Sequence, residues 1–143
     1  MTSSDNCAGP EPEYGVLHED ALDYTPQQRS VSLARRRTAR LVAEWGHPAL
    51  AGDAALIVGE LAANATLHGS LRDRLFKVRL THTRGALRLA VSDPRGERMP
   101  QLRRPADDEC FGRGLLVVNA LASRWDVEPH VVGKTTWAEL DLG

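Results

Sequence analysis

The chain has 143 residues, 42% of them apolar, with 18 Lys and Arg against 19 Asp and Glu and a formal net charge of −1. This length suits one domain that can bury a core without disulfides or a structural metal. The balanced charge excludes a general nucleic-acid or membrane-surface binder, which needs a basic excess, and no apolar run is long enough to span a bilayer.

Residues 1–13 are polar, carry Pro10 and Pro12, and read as a disordered tail. They lack the apolar centre of a signal peptide, so a cytoplasmic location is expected. Residues 14–143 form the expected domain. Cys7 and Cys110 make no C-x-x-C pair and read as free thiols. His18, His47, His68, His82 and His130 show no metal-ligand spacing. Residues 14–22 suit a short strand. Thr25, Pro26 and Gln28 supply the N-cap, first-turn proline and capping-box glutamine of a helix. Val31, Ala34, Leu41, Val42 and Trp45 recur at helical spacing until Gly46 and Pro48 stop it. Arg35, Arg36, Arg37 and Arg40 on that helix read as a solvated face with some partner contact. A second helix is expected from about Asp53 to His68, ended by Gly69 and apolar around most of its circumference.

Phe76, Val78 and Leu80, then Leu87, Leu89 and Val91, alternate with polar residues on either side of Thr83-Arg84-Gly85. This predicts a hairpin whose sheet is covered on one face. Residues 94–111 are rich in Pro, Arg and Asp and read as a long loop. A third helix is expected from Leu115 to about Ser123. Two closing strands follow, Trp125 to Val132 and Thr135 to Leu142, around Gly133-Lys134. The order has no βαβ alternation. It predicts an α+β two-layer sandwich with a mixed, mostly antiparallel sheet covered on one face by helices.

Three groups of residues carry candidate chemistry. Glu60 and Asn64 share one helix face by their spacing of four, and His68 continues the stripe. A buried carboxylate is costly unless it is paired or binds a cation or water. A carboxylate and an amide so placed can bind Mg²⁺ or a water beside a phosphate; the same spacing also suits a solvated stripe on a half-exposed helix. Asp93 ends a strand, where it can accept a hydrogen bond from the amino group of an adenine or serve as turn chemistry. Gly112-Arg113-Gly114 opens an apolar helix, and glycines before a helix N-terminus let backbone N–H groups approach an anion. The setting is neither a Rossmann fingerprint nor a P-loop. No short βαβ unit encloses the glycines, and Gly133-Lys134-Thr135 lacks an upstream glycine and a following helix.

In order along the chain these segments resemble the motifs of the GHKL superfamily, the Bergerat-fold ATPases. Residues 60–69 (ELAANATLHG) are similar to its N-box and residues 91–96 (VSDPRG) to its first glycine box. Residues 112–118 (GRGLLVV) are similar to its second glycine box and residues 133–137 (GKTTW) to its final box. The resemblance covers residues 14–143. As a lone domain with a short arginine-rich first helix, the chain is most similar to the anti-sigma factor serine kinases and their actinobacterial relatives.

That resemblance implies ATP and Mg²⁺ as cofactors. It implies that Asn64 coordinates Mg²⁺, that Glu60 is the base or orients the attacking hydroxyl, and that Asp93 holds the adenine amino group. Gly112 and Gly114 would cradle the phosphates, within a box that also holds Arg113 and Leu115, and residues 97–111 would be the ATP lid. His68 and Gly96 belong to the implied cofactor-binding set, and Thr135 would lie near the adenine–Asp93 water network. The implied partners are a sigma factor and an anti-anti-sigma factor whose serine accepts the phosphate, with a homodimer through the first helix and the exposed sheet. No direct contact with nucleic acid or membrane is implied. The chain departs from the family at Pro94. The family's first glycine box has glycines two and four residues after the aspartate, whereas here only Gly96 follows, at plus three. Proline also removes an N–H and stiffens the turn. The function expected is an ATP-dependent serine/threonine protein kinase that regulates transcription as an anti-sigma factor. The alternative is a non-catalytic, ATP-dependent module that sequesters a partner protein.

Overall fold

A computed structural model of the chain describes residues 15–67, 74–94, 115–131 and 133–143. Five strands, β1 (Val16–Tyr24), β2 (Phe76–Thr83), β3 (Ala86–Asp93), β4 (Arg124–Pro129) and β5 (Lys134–Asp141), form one sheet in the order β1-β2-β3-β5-β4. Three helices accompany it: α1 (Gln28–Glu44), α2 (Ala51–Leu67) and α3 (115–121). This is the α+β sandwich expected, with one refinement. All four pairings among the described residues are antiparallel. The tail expected at 1–13, Cys7 and Cys110 lie outside the described residues.

The helix boundaries follow local chemistry that the sequence reading placed slightly differently. α1 starts at Gln28, with an extended Gln27 as its N-cap residue. The Thr25 hydroxyl lies 3.0 Å from the Ser30 hydroxyl, so it braces the first turn through a side chain instead of capping it. At the other end His47 N–H bonds Val42 C=O and Gly46 N–H bonds Ala43 C=O, while Gly46 has φ +101°. This is a Schellman stop, which needs a left-handed residue after the helix. α2 begins at Ala51, two residues before Asp53, because a 3-10 turn at Pro48–Leu50 leads directly into it. Asp53 then sits in the first turn, where the helix dipole favours a carboxylate.

One face of the sheet packs against the helices. Val78, Leu80, Leu87, Leu89, Val91, Ala138 and Leu140 point inward and meet Ile57, Val58, Leu61 and Ala62 of α2 in one buried cluster. Burying a residue such as Leu89 stabilises the fold by about 1.5–3 kcal/mol. α1 adds Ala34 and Val42, spaced to form one stripe. Two of its arginines are structural, not simply solvated. Arg37 donates to both carboxylate oxygens of Asp20 on β1, at 2.9 and 2.7 Å, and this hydrogen bonding holds the Asp20 carboxyl below its ordinary range. The stem of Arg35 fills the groove over Gly59 of α2, where a Cβ would come within 2.8 Å of Arg35 Cδ.

The other face of the sheet carries charge. Glu19 pairs with Arg79, Asp23 with Lys77, and Glu139 with both Arg88 and Arg124. The Arg88 guanidinium also lies 4.2 Å from the centre of the Trp137 ring. Among the described residues no helix is long and apolar enough to cross a membrane.

At the end of the sandwich beside the β2–β3 turn, three imidazoles form a chain. His82 Nδ1 lies 2.9 Å from His18 Nδ1, and His82 Nε2 lies 3.1 Å from His47 Nε2. The Trp45 ring is nearly parallel to those of His18 and His82. The Schellman stop of α1 is what delivers Trp45 and His47 to this cluster. Burial lowers the pKa of His82, and His47 and His18 lower it further.

Candidate functional site

The opposite end of the sheet brings Asp93 together with Gly133 and Lys134. α2 starts after the Pro48–Leu50 turn beside His47 and runs to Leu67, away from the β2–β3 turn, and Lys77 of β2 pairs with Ser92 near the end of β3. Asp93 in turn pairs with Lys134, the first residue of β5. The C-terminus of α2, the start of β2, the end of β3 and the start of β5 therefore share one end of the layer.

Two polar residues are buried in the interior there. Asn64 is 9% exposed and Asp93 5% exposed. Asn64 is thus no part of a solvated stripe. Its Nδ2 is buried and has no hydrogen-bond partner among the described residues. A buried donor without an acceptor costs about 1–3 kcal/mol, so this amide has an acceptor to gain beyond the described residues. A phosphate oxygen is one such acceptor, and the amide oxygen of the same side chain is a hard ligand of the kind Mg²⁺ takes. Glu60, one turn earlier on α2, is half-buried. Among the described residues no group of three or more His, Cys, Asp or Glu is placed to hold a metal ion. Mg²⁺ needs no such group, because it keeps waters and leans on phosphate oxygens.

Asp93 is on the inner face, with Oδ2 3.9 Å from Lys134 Nζ. Its main chain is gripped from both sides. Gly133 has φ +96°, and a Cβ there would fall on the Asp93 carbonyl oxygen and within 2.7 Å of Pro94 Cα. Only glycine lets the β4–β5 turn lie so close. From the other side Arg74 Nη1 donates to the Pro94 carbonyl at 3.3 Å. The turn that departs from the family pattern at Pro94 is therefore held by a glycine and an arginine. A cavity of about 220 Å³ opens at the rim beside it, toward the outward side of the sheet, lined by Asp23, Lys77, Ser92 and His130 as well as Asp93 and Lys134.

Thr135 is placed elsewhere. It pairs with Ser92 on the outward face, with its hydroxyl 2.8 Å from Ser92 Oγ and 2.9 Å from His130 Nε2. The hydroxyl on the Asp93 side of the sheet is that of Thr136, which pairs with Val91 and is buried. The reason is the two-residue period of a strand. Ala138 and Leu140 point inward, so Thr136 and Lys134 do too. That parity was available in the sequence and would have selected them over Thr135. Leu115 opens α3, half-buried against the core. His68, Gly96, Gly112, Arg113, Gly114 and the lid segment 97–111 lie outside the described residues.

An antiparallel sheet with helices on one face, with buried Asn64 and Asp93 near the ends of α2 and β3, defines an open-faced α+β sandwich. Residues 24–140 match the family of histidine kinase-like ATPase domains, and the chain belongs to that family. The superfamily suggested by the ordered motifs is thereby borne out. Among solved structures, the fold is similar to the RsbU and RsbW domains of Rv1364c from Mycobacterium tuberculosis, with a TM-score of 0.67 and 18% sequence identity. The match covers 86% of this chain and 32% of that one, so the chain spans about a third of its length. No curated protein matches the chain.

Proposed function

We propose that the chain is an ATP-binding regulatory protein, an anti-sigma factor with serine/threonine kinase activity toward an anti-anti-sigma partner. The observation that carries the nucleotide reading is the buried Asn64 amide, whose Nδ2 lacks a partner among the described residues in a domain of the ATPase family. The regulatory reading is supported by the motif resemblance to the anti-sigma kinases and by the likeness of fold to a structure that contains an RsbW domain.

In this reading Asp93 accepts a hydrogen bond from the adenine amino group at the end of β3. Asn64 holds Mg²⁺ through its amide oxygen, and the metal, when bound, neutralises charge on the phosphates. Glu60 receives the proton of the attacking serine hydroxyl, or orients that hydroxyl, from the same face of α2. The chemistry asks little more of the protein, because phosphoryl transfer depends on positioning and electrostatics more than on covalent catalysis. The burial of Asn64 and Asp93 strengthens both contacts, since water does not compete there.

The test is a calorimetric titration with ATP, with and without Mg²⁺, followed by transfer of γ-phosphate label to a co-purified partner. Magnesium-dependent binding with label transfer is the expected result. Binding without transfer would leave the non-catalytic sequestering module. No binding at millimolar ATP would remove the nucleotide from the account. Glu60→Ala is expected to bind ATP and transfer nothing; unchanged transfer would take Glu60 out of the mechanism.

A further inference from the structure

We propose that Lys134 is a second base-reading residue, acting beside Asp93 as a donor to the ring nitrogen N1 of adenine. This rests on the nucleotide reading above and goes beyond it by naming what selects the base.

The argument starts from strand parity. Lys134 pairs with Asp93 across the β3–β5 ladder, so both side chains leave the sheet on its inner face. Lysine is rarely buried, because its ammonium is strongly hydrated. Here the Lys134 side chain is 14% exposed, beside an Asp93 side chain at 6%, with Nζ and Oδ2 3.9 Å apart. Both residues reach the rim of the sheet end, where a cavity of about 220 Å³ is shared with Asp23, Lys77, Ser92 and His130 of the outward side. The Gly133 contact with Asp93 and Pro94 fixes the start of β5 against the end of β3, so the two groups are held in one register.

A carboxylate and an ammonium side by side present one acceptor and one donor. The Watson–Crick edge of adenine presents the complement, an amino donor at position 6 next to an acceptor at N1. Asp93 takes the amino group, and Lys134 then meets N1 without leaving its place beside Asp93. A charged donor also makes this contact stronger than a neutral one would.

The experiment measures ATP and 1-deaza-ATP binding by calorimetry, in the wild-type chain and in Lys134→Met. The deaza analogue keeps the amino group and the phosphates and lacks the N1 acceptor. Wild type is expected to bind ATP at least about tenfold more tightly than 1-deaza-ATP, the loss typical of a charged hydrogen bond. Lys134→Met should bind the two equally, at the weaker level. Lys134→Gln, which keeps a neutral donor, should retain part of the preference, and far-UV circular dichroism of the ligand-free variants checks that they are folded.

A preference for ATP that is the same in wild type and Lys134→Met would overturn the role of Lys134. So would an equal weakening of both ligands with the ratio unchanged, since that is what simple charge compensation of Asp93 would produce. In either case ATP binding by the wild type keeps the nucleotide reading intact. No ATP binding by the wild type would overturn both.

Discussion

The two ends of the space between sheet and helices are built from similar materials and finished differently. At the β2–β3 turn, buried His82 finds an imidazole on each of its ring nitrogens, and Trp45 flanks the group. At the end of β3, buried Asn64 keeps an Nδ2 that has no partner among the described residues. A polar group whose bonds close among its neighbours serves the fold, whereas a buried one without such a bond needs another explanation. The contrast separates a structural cluster from the proposed ligand site where burial alone would treat them alike, since His82 is 4% exposed and Asn64 9%.

Substitution at each end should therefore give opposite results. The largest effect is expected for Asn64→Ala, which should weaken magnesium-dependent ATP binding at least about 100-fold, or roughly 2.7 kcal/mol. Its melting temperature should stay level or rise, because a buried group without a bond has been removed. Wild-type affinity in a calorimetric titration would end the metal role of Asn64. His82→Ala is the mirror case. It should lower stability by about 2 kcal/mol in urea unfolding, through a cavity and two imidazoles that lose a partner. ATP affinity of the folded protein should stay the same, and a drop in binding would mean that the two ends are coupled.

Gly133→Ala should cost about 1–3 kcal/mol, because a side chain at that φ is strained and meets the Asp93 backbone. It should weaken ATP binding as well, which distinguishes it from His82→Ala in the same two assays. A pH series sharpens the contrast further. The fold lowers the His82 pKa, first by burial and then through His47 and His18. The unfolded chain thus takes up a proton before the folded one. Stability from this source is complete above the ordinary imidazole value of about 6.5 and falls as pH drops through the lower folded value. The urea midpoint should decline between pH 7.5 and 5.5 in wild type and decline less in His82→Gln. Asp20 does not confound this window, because the Arg37 hydrogen bond keeps it ionised into the acid range. The smallest effect is expected for Arg79→Ala on the outward face. Its exposed pair with Glu19 is worth at most about 1 kcal/mol, and binding should not move.

Much of this architecture was legible in the chain. The alternation of Phe76, Val78, Leu80 and of Leu87, Leu89, Val91 marks both strands of the hairpin and names their inner face, because the period is local. Gly46 before Pro48 marks the end of α1 for the same reason. The length of β1 was less legible, since its residues through Tyr24 are held by partners far along the chain, Phe76 among them. In the site, Asn64 and Asp93 stood out as polar residues in apolar surroundings. Lys134 and Thr136 were not singled out, because the motif resemblance points to Thr135, whereas strand parity puts Thr136 and Lys134 on the Asp93 side of the sheet. The role of Gly133 could not be read locally at all. It depends on a backbone forty residues away coming within contact distance.

The strand order carries one more consequence, for the newborn chain. β5 is the last strand in sequence, yet it lies between β3 and β4 and makes the whole of β4's pairing among the described residues. Until β5 leaves the ribosome, β3 has an open edge and β4 has nothing to join. Synthesis from the N-terminus can complete the antiparallel β1–β2–β3 sheet, with α1 and α2, early. The end that holds Asp93 waits, because Lys134 and the Gly133 clamp arrive with the strand that closes the sheet. A nascent chain arrested before β5 would thus expose the edge of β3, a surface of the kind chaperones shield and other strands invade.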